Sequence, residues 1–421
     1  MPPNAGEPEH CFMETNGSSI EELLDINSTR SLRPDGISVH ITTFNCANTP
    51  HPDLPIALPL VPPDLLIVGL QELAPSHIAF LDLPVVNNYY LKGLDGVPGT
   101  AFKQYGKEYK LVKVVRIGQT ALIIWSPLGK GIKRVQTAWA GCGVFGLLAN
   151  KGAAAARLTV VKGIPPNVKL TEGDGTERDL TFVSAHLAAR EGHFDRRNAD
   201  FRCLVENLVF KDQTGIFKPN APLFFFGDLN YRLSVLHPSR SGSSLTLSPG
   251  ETADDVSLVT TLKGQILDFL ETGQFSHLVP HDQLPLSPLA VHLNEVPITF
   301  SPTYKYSSHS PPTYASNRTP SWTDRILFSP ETLFTRDYKS ITCATFSDHQ
   351  AVCLTAIIRD EDFKLEEGVM PWAINPRWRQ RRRLTEKLGY AVGAYELMKE
   401  ARADLVLLII FLIALALYCY R

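Results

Sequence analysis

The stretch at residues 224–232 constrains the fold of this chain more than any other. Three consecutive aromatic residues, Phe224 to Phe226, predict a buried β-strand. The run stops at Gly227, and Asp228 and Asn230 follow within four residues. A buried strand that delivers polar side chains at its end is a common way to build a rigid polar site. The alternative is an ordinary Asp/Asn turn after a strand, and this stretch alone does not decide between the two.

Strand patterns recur along the chain and outnumber helical ones. Apolar and β-branched runs predict strands at residues 37–44, 65–70, 110–116, 121–125, 132–137, 143–148, 157–161, 180–185, 223–226, 325–328 and 350–358. Helical periodicity predicts helices at residues 195–210 and 255–271. Many strands with few, separated helices favour two packed sheets with helices outside them over strict βαβ alternation.

Composition limits the kind of protein this can be. The 421 residues, 44% of them hydrophobic, suffice for one large domain or two ordinary ones. The net charge of −2 is unevenly spread, because residues 376–402 carry +5 and the remainder therefore carries −7. An acidic body is a poor match for nucleic acid, so no nucleic-acid partner is expected. The seven cysteines show no C-x-x-C spacing, which indicates reduced thiols in a cytosolic protein rather than disulfides or zinc.

The C-terminal residues 405–420 are uncharged and apolar. As a helix they would extend about 24 Å, which is shorter than a hydrocarbon core of roughly 30 Å. We expect a transmembrane tail anchor, since the segment follows a basic, Trp-containing run at 371–383 that fits the positive-inside pattern. A buried core helix is the alternative. The shortness favours a thin membrane such as the endoplasmic reticulum, with the body in the cytosol.

The chain is therefore divided into four segments. Residues 1–35 are predicted to be a flexible N-terminal segment without a signal peptide, and residues 36–360 a folded body. Residues 361–404 are predicted to be a basic juxtamembrane linker that leads to the anchor at 405–420. Within the body, the Ser- and Pro-rich residues 234–250 predict a surface loop.

Polar residues adjoin six of the predicted strands. They are Asn45; Gln71 and Glu72; Ser184 and His186; Asp228 and Asn230; Asp324 and Arg325; and Asp348 and His349. One such residue at a strand end is usually a cap or a solvated side chain. Six coincident cases favour one shared polar site.

The residue types indicate a chemistry. The Glu72 carboxylate and the Asn45 amide oxygen are hard ligands that suit Mg²⁺, and Mg²⁺ can polarise a phosphoryl oxygen. Asp228 could orient or deprotonate a water, while His349 held by Asp324 would form a carboxylate–imidazole pair. No nucleophilic Ser or Cys motif is recognised, so direct attack by water is favoured. The reaction class is metal-assisted hydrolysis of a phosphate ester.

Eight motifs occur in order along residues 36–358. They are TFN with Asn45, GLQE with Glu72, SAHLAA with His186, the pair Arg197 and Asn198, FGDLNYR with Asp228, SPTYKY at 301–306, RTPSWTDRIL at 318–327, and SDHQAV at 347–352. Together they resemble the inositol polyphosphate 5-phosphatases of the endonuclease/exonuclease/phosphatase superfamily. GDLN and SDH indicate only the superfamily, whereas GDLNYR, PTYKY and WTDRIL are more specific. The resemblance implies an α/β fold, a deoxyribonuclease-I-like four-layer αββα sandwich, to which the C-terminal helix is added.

The resemblance also implies roles for the site residues. The metal contacts would be Glu72 and Asn45. The catalytic set would be Asp228 for the attacking water, Asn230, His186 and His349 at the scissile phosphate, Asp324 to orient His349, and Asp348. Substrate would be bound by Tyr304, Lys305, Arg318, Arg325, Arg197 and Asn198. Two departures stand out, because Ala153 replaces the second glycine of a family NKGG motif and Thr323 replaces a usual cysteine.

The implied activity is Mg²⁺-dependent removal of the 5-phosphate from phosphatidylinositol 4,5-bisphosphate. Phosphatidylinositol 3,4,5-trisphosphate and soluble inositol polyphosphates remain further candidate substrates. The expected partners are a phosphoinositide and a membrane, and the expected state is a monomer. Two alternatives stay open: another phosphodiesterase or nuclease of the superfamily, and a non-catalytic phosphoinositide-binding membrane protein. The second predicts erosion of the metal or base positions, and the sequence shows none.

Overall fold

The structure is a computed structural model that describes most of the chain. The described residues are 36–49, 56–82, 91–127, 131–162, 176–234, 264, 266, 268–307, 313–315, 318–329, 333–341, 346–359, 371–400 and 405–420. The segment 1–35 and nearly all of the predicted surface loop at 234–250 lie outside these residues, so both remain predictions.

Two sheets form the centre of the molecule. The first has the order β10-β11-β1-β2-β4-β3, and its strands are β1 Gly36–Asn45, β2 Leu65–Gln71, β3 Lys110–Ile117, β4 Thr120–Ser126, β10 Phe334–Ile341 and β11 Ala351–Arg359. The second has the order β5-β6-β7-β8-β9, and its strands are β5 Ile132–Gly141, β6 Gly152–Lys162, β7 Thr176–His186, β8 Leu223–Asp228 and β9 Asp324–Phe328. Only the pairs β1–β2 and β7–β8 are parallel among these strands.

The described helices that pack on the sheets lie on their outer faces, whereas the C-terminal helix contacts the helix before it. They are α1 Ser76–Phe80, α2 Val97–Tyr105, α3 Phe194–Asn207, α4 Pro288–His292, α5 Trp378–Glu400 and α6 Leu405–Tyr420. One apolar cluster fills the space between the sheets, a second joins the first sheet to α1 and α2, and a third joins the second sheet to α3 and α4. The predicted four-layer αββα sandwich is thereby confirmed.

The three phenylalanines of β8 show how the layers are built. Phe224 and Phe226 point into the cluster between the sheets, while Phe225 points outwards and meets Phe201 of α3 with ring centroids 5.4 Å apart. Successive side chains of a strand alternate between faces, so a strand covered on both sides has to be apolar throughout. This is why an uninterrupted aromatic run, rather than an alternating pattern, marks the strand.

Several predicted elements need correction. Residues 143–148 are not a strand but part of a loop with a 3₁₀ turn at Val144–Gly146, where Phe145 has a φ of 55°. Their apolar side chains resemble a strand pattern, but Phe145 is 85% exposed. β10 was not predicted, because its sequence FTRDYKSI is polar and half-exposed at the sheet edge. The helix at 195–210 is confirmed, although it ends at Asn207. Most of the predicted helix at 255–271 lies outside the described residues.

The segment predicted as a linker is structured where it is described. Helix α5 packs against α1 and β5. Trp372 packs edge-on against Phe201, with ring centroids 5.9 Å apart. Arg382 lies over the Trp139 ring at 4.9 Å and donates to the Val209 carbonyl. The sequence relates the arginines of this segment to a nearby membrane. In the structure, Arg381 and Arg382 instead hold α5 on the domain.

The apolar C-terminal residues form helix α6, as the sequence predicts. Among the helices of the described part of the chain, none combines the length and the apolarity needed to cross a membrane. The anchor therefore stays a prediction.

Candidate active site

Strands from both sheets bring the predicted site residues to one edge of the sandwich. In the first sheet, the ends of β1 and β2 place Asn45 beside Gln71, one residue before Glu72. In the second sheet, His186 pairs with Asp228 and Asp228 pairs with Asp324 across three adjacent strands. The predicted convergence of strand-end polar residues is present.

Gly227 is required at the end of β8. Its φ is +143°, a conformation that side chains disfavour, and an added Cβ would lie 1.8 Å from the Ala185 carbonyl oxygen. The backbones of β7 and β8 therefore approach closely just before Asp228. This close approach sets the carboxylate against His186 of the neighbouring strand.

Asp228 lies at the centre of the polar cluster. Its Oδ2 accepts a hydrogen bond from Asn45 Nδ2 at 2.9 Å and lies 3.2 Å from His186 Nε2 and 3.9 Å from His349 Nε2. Burial acts to raise the pKa of Asp228, but the charge of His349 and the hydrogen bond from His186 outweigh it and hold that pKa well below its usual range. No described residue donates to the buried Oδ1, so this atom can accept a hydrogen bond from a bound water.

His349 and Asp324 form the predicted carboxylate–imidazole pair. His349 Nδ1 lies 2.9 Å from Asp324 Oδ2, which also accepts hydrogen bonds from the hydroxyls of Thr303 at 2.7 Å and Thr323 at 2.8 Å. Burial disfavours the imidazolium, but the carboxylates of Asp324 and Asp228 outweigh it and raise the pKa of His349 to about 9. His349 is therefore a cation at neutral pH. Thr323, the departure from the usual cysteine, supports this pair with its hydroxyl.

Lys151 is a site residue that sequence reasoning missed. Its Nζ lies 2.5 Å from His186 Nε2 and 3.8 Å from Glu72 Oε1. Burial and the Lys151 ammonium lower the pKa of His186. The sequence signal for this residue is the N-K-G motif at 150–152, which precedes Ala153. Ala153 itself lies in the regular strand β6 without a positive φ, so the missing glycine has no backbone consequence.

Glu72 and Asn45 are suited to a hard cation. Glu72 has a φ of 45°, and its side chain remains 31% exposed while Oε2 accepts a hydrogen bond from Asn48 Nδ2 at 3.0 Å. Asn45 Oδ1 accepts a hydrogen bond from the Ala47 N–H at 3.0 Å, which leaves the second lone pair of this oxygen for a cation. One partly exposed carboxylate and one amide oxygen match Mg²⁺, which keeps several of its waters.

The geometry also brings together a second group of potential ligand atoms. Ligand atoms of Asp228, Asp324 and His349 lie within 4.8 Å of one another among the described residues. Asp324 Oδ2 is already occupied by two hydroxyls and His349, and the protonated imidazole supplies the charge that balances the carboxylates. This group therefore suits proton handling, whereas the oxygen atoms of Glu72 and Asn45 suit a cation.

Asn230 and the two residues after it brace the site wall. Asn230 donates from Nδ2 to the Leu187 carbonyl at 3.2 Å, and its Oδ1 accepts from Arg232. Arg232 lies over the Tyr304 ring at 4.3 Å, and that ring packs against His349 with centroids 4.5 Å apart and an interplanar angle of 38°. The amide of Asn230 is thus engaged within the protein. Tyr304, which is half-buried, contacts the imidazole, and its predicted contact with substrate stays a prediction.

The rim carries the exposed members of the predicted substrate set. Lys305 Nζ lies 3.5 Å from Asp348 Oδ2, and both side chains are 31% exposed. Asp348 Oδ1 is 4.0 Å from His349 Nε2, at the limit of an ion pair. Arg318 is exposed as well. Lys305 and Arg318 therefore remain candidates for binding an anionic group outside the site.

Arg325 was predicted to bind substrate, and the structure contradicts this. Its side chain is 2% exposed and pairs with Asp282 at 2.7 Å and with Glu295, to which Nε donates at 2.7 Å. Adjacent strand residues point to opposite faces, so Arg325 faces away from the site when Asp324 faces it. Arg325 therefore forms buried ion pairs with Asp282 and Glu295 that support the fold.

Arg197 is also structural rather than substrate-binding, whereas the predicted role of the half-buried Asn198 stays a prediction. The fully buried guanidinium of Arg197 donates to the Arg190 carbonyl at 2.7 Å and to Gln283 Oε1 at 2.7 Å. Asn198 Oδ1 accepts the Tyr231 hydroxyl at 2.8 Å. Both residues tie α3 to the loops around the site, which also explains Tyr231 of the FGDLNYR motif.

A separate cavity of about 650 Å³ lies beneath α5. Phe80, Arg116, Trp139 and Tyr390 are among its lining residues, and none of the predicted site residues lines it. The chemistry is therefore assigned to the polar cluster and not to this cavity.

Comparisons with known proteins agree with this geometry. The chain is 27% identical over 301 residues to the polyphosphatidylinositol phosphatase INP53 of Saccharomyces cerevisiae, covering 69% of this chain and 23% of that protein. It is 27% identical over 309 residues to the type II inositol 1,4,5-trisphosphate 5-phosphatase of Mus musculus, covering 69% of this chain and 26% of that protein. The chain thus spans about a quarter of the length of these relatives.

A solved structure shares the fold. It is the inositol polyphosphate 5-phosphatase domain of SPsynaptojanin in complex with inositol (1,4)-bisphosphate and calcium, with a TM-score of 0.57 and 22% identity over 88% of this chain and 94% of that one. The family model described as endonuclease/exonuclease/phosphatase family 2 matches residues 42–355. Since this match covers most of the chain and includes every site residue from Asn45 to His349, the chain belongs to endonuclease/exonuclease/phosphatase family 2.

Proposed function

We propose that this protein is a Mg²⁺-dependent 5-phosphatase of phosphoinositides or inositol polyphosphates that uses water as the nucleophile. The observation that carries the proposal is Asp228, whose buried Oδ1 has no described donor and whose Oδ2 faces two histidines. The relatives named as polyphosphatidylinositol and inositol trisphosphate phosphatases support the substrate class.

Asp228 would act on the attacking water. Its low pKa keeps the carboxylate ionised, and Oδ1 can accept a hydrogen bond from the water that attacks phosphorus and so orient it. As the new P–O bond forms, the bond from phosphorus to the inositol oxygen breaks. That oxygen takes up a proton from solvent, which replaces the proton lost by the attacking water. His349, a cation beside Asp228, would stabilise the negative charge on the phosphoryl oxygens.

The metal would be held by Glu72 and Asn45. When bound, Mg²⁺ would offset negative charge on the phosphate and on the leaving oxygen. Lys151 lies 3.8 Å from the Glu72 carboxylate and adds a second positive group on the same side of the site. The donor set fits Mg²⁺, and the calcium in the SPsynaptojanin domain supports a divalent metal in this fold.

We propose phosphatidylinositol 4,5-bisphosphate as the lipid substrate. A neighbouring phosphate needs cations beyond the metal, and Lys305 and Arg318 on the rim supply them. The inositol (1,4)-bisphosphate bound to the SPsynaptojanin domain carries no 5-phosphate, which supports removal of the 5-phosphate as the reaction. The proposal further includes attachment to a membrane, with the endoplasmic reticulum favoured, through the apolar residues 405–420.

The test measures phosphate release by the purified protein lacking residues 403–421. Dioctanoyl phosphoinositides and inositol 1,4,5-trisphosphate are offered with Mg²⁺ and with EDTA, beside Asp228→Asn as the inactive control. We expect Mg²⁺-dependent release only from 5-phosphorylated substrates. DNA and sphingomyelin are offered in parallel, and cleavage of either without release from the inositol substrates would support another superfamily activity. Binding of the lipids without release would support the non-catalytic alternative.

A further inference from the structure

Lys151 stands at the end of a loop that α5 contacts directly. This β5–β6 loop, residues 142–151, is closed at its base by hydrogen bonds from Cys142 N to the Lys151 carbonyl at 2.9 Å and from Gly143 N to the Leu148 carbonyl at 2.9 Å. From α3, Arg196 donates to the Cys142 and Gly143 carbonyls at 2.6 and 2.7 Å. The base is thus held by the body, and the tip at 144–148 has partners on α3, where Cys203 Sγ donates to the Gly146 carbonyl at 3.9 Å, and on α5.

Helix α5 supplies two of these partners. Thr385 is 2% exposed and donates from its hydroxyl to the Leu147 carbonyl at 3.0 Å. Arg381 donates to the Gly146 carbonyl and to Cys203 Sγ, the latter at 3.0 Å. The Thr385 methyl also lies against Gly141, where an added Cβ would approach it to 3.0 Å. Two consecutive carbonyls of the loop tip are therefore held by one turn of α5.

The other end of α5 reaches the segment that follows the metal residue Glu72. Glu396 accepts a hydrogen bond from Ser76 at the start of α1. Gly393 packs so closely that an added Cβ would lie 3.0 Å from Phe80 Cβ and 3.2 Å from the His77 carbonyl oxygen. One helix thus spans from the loop that carries Lys151 to the helix that follows Glu72.

A docked helix often does no more than stabilise a fold. Here the polar contacts of its first half converge on the two carbonyls that lead into the Lys151 segment, and α5 lies outside the residues 42–355 that match the family. We propose that α5 is part of the catalytic unit, in which Thr385 and Arg381 are positioning residues that hold Lys151 against His186. This inference rests on the proposed function.

The test compares Thr385→Val, which loses the hydroxyl but keeps the shape, with Thr385→Ser, which keeps the hydroxyl. Gln380→Ala, an exposed change on the same helix, is the matched control. On dioctanoyl phosphatidylinositol 4,5-bisphosphate we expect Thr385→Val to lower kcat by about threefold to tenfold, as the loss of one buried hydrogen bond predicts. KM should change little, because Lys305 and Arg318 lie on another segment. Thr385→Ser and Gln380→Ala should behave like the wild type.

Hydrogen–deuterium exchange of the full chain gives a second readout that does not depend on turnover. Amides 144–148 should exchange faster in Thr385→Val, while those of β8 remain protected. Unchanged kcat and unchanged exchange in Thr385→Val would overturn the inference, as would an equal loss of kcat in Thr385→Ser. An inactive wild type would instead overturn the proposed function, and the exchange experiment would still decide whether α5 holds the loop.

Discussion

Asp228 and His349 shift each other's pKa in opposite directions. The imidazolium holds the pKa of Asp228 low, and the carboxylates of Asp228 and Asp324 raise that of His349 to about 9. In the proposed reaction, the ionised carboxylate would orient the attacking water and the imidazolium would offset negative charge on the phosphate. Single side chains therefore carry most of the proposed chemistry.

Substitution of Asp228 should separate chemistry from folding. Asp228→Asn keeps a group of the same size beside Asn45 and His186, but it removes the base. We expect kcat to fall by about 10³-fold or more, within the range of general-base catalysis. Circular dichroism and the thermal midpoint should report a folded protein. An unfolded variant would mean that Asp228 is structural rather than catalytic.

The raised pKa of His349 predicts two pH effects. A folded-state pKa of about 9 against 6.5 for an ordinary histidine gives stability that is complete below about pH 6.5 and lost as the pH rises through 9. The free energy of unfolding in urea should therefore fall between pH 6.5 and 9.5. In the pH profile of kcat/KM, activity should decline near pH 9 as the imidazolium loses its proton. Asp324→Asn should move that decline to lower pH, and an unmoved decline would exclude the pair as its source.

The corrected assignment of Arg325 predicts a stability defect rather than a binding defect. Arg325→Gln would leave Asp282 and Glu295 buried without their cation, and the loss of one partner of a buried pair costs about 3–5 kcal/mol. Chemical denaturation should show this loss. Lys305→Gln should instead raise KM and leave stability nearly unchanged. A raised KM with unchanged stability in Arg325→Gln would indicate that Arg325 binds substrate.

At the scale of elements, strand ends decide which residues meet. β7, β8 and β9 align His186, Asp228 and Asp324 in register, and Gly227 allows the first two strands to approach closely. The strand pattern of the sequence predicted most of these elements, because apolar runs mark strands buried on both faces. It failed at polar β10 and at the exposed apolar loop around Phe145, where composition and burial disagree.

Gly227 offers a test of this element-level argument. Gly227→Ala should cost about 3 kcal/mol or more, because the Cβ would meet a backbone oxygen that cannot move aside. Gly106→Ala is the control, since Gly106 has a φ of +65° but open space around it. That change should cost only about 1–2 kcal/mol, the price of a left-handed residue. Equal losses in urea denaturation would contradict the close approach of β7 and β8.

At the scale of the whole molecule, the C-terminal segment has two parts with different expected roles. Residues 371–400 dock on the domain through Trp372, Asn375 and α5, whereas residues 405–420 form the apolar helix α6. The sequence alone grouped the arginines of 376–402 with the membrane. The structure assigns Arg381 and Arg382 to carbonyls of the body.

Two truncations distinguish these parts. Removal of residues 405–421 should release the protein from membranes in cells and leave hydrolysis of short-chain substrate unchanged. Removal of residues 371–421 should also lower the thermal midpoint, by roughly 2–4 °C for each kcal/mol lost. Carbonate-resistant membrane retention of the shorter deletion would contradict the anchor. An unchanged midpoint in the longer one would contradict the docking of α5.

The sequence by itself determined the two-sheet architecture and most of the polar residues that meet at one edge of it. Hydrophobic patterning specifies strands, and motif chemistry specifies ligands and bases. Only the tertiary structure decided which of the neighbours Asp324 and Arg325 faces the site, that Lys151 reaches His186, and that α5 is docked on the domain. These depend on strand register and on contacts between residues far apart in the chain, such as Thr385 and Leu147, 238 positions apart. Local patterns carry no information about such contacts, because the same side chain can face either solvent or a distant partner.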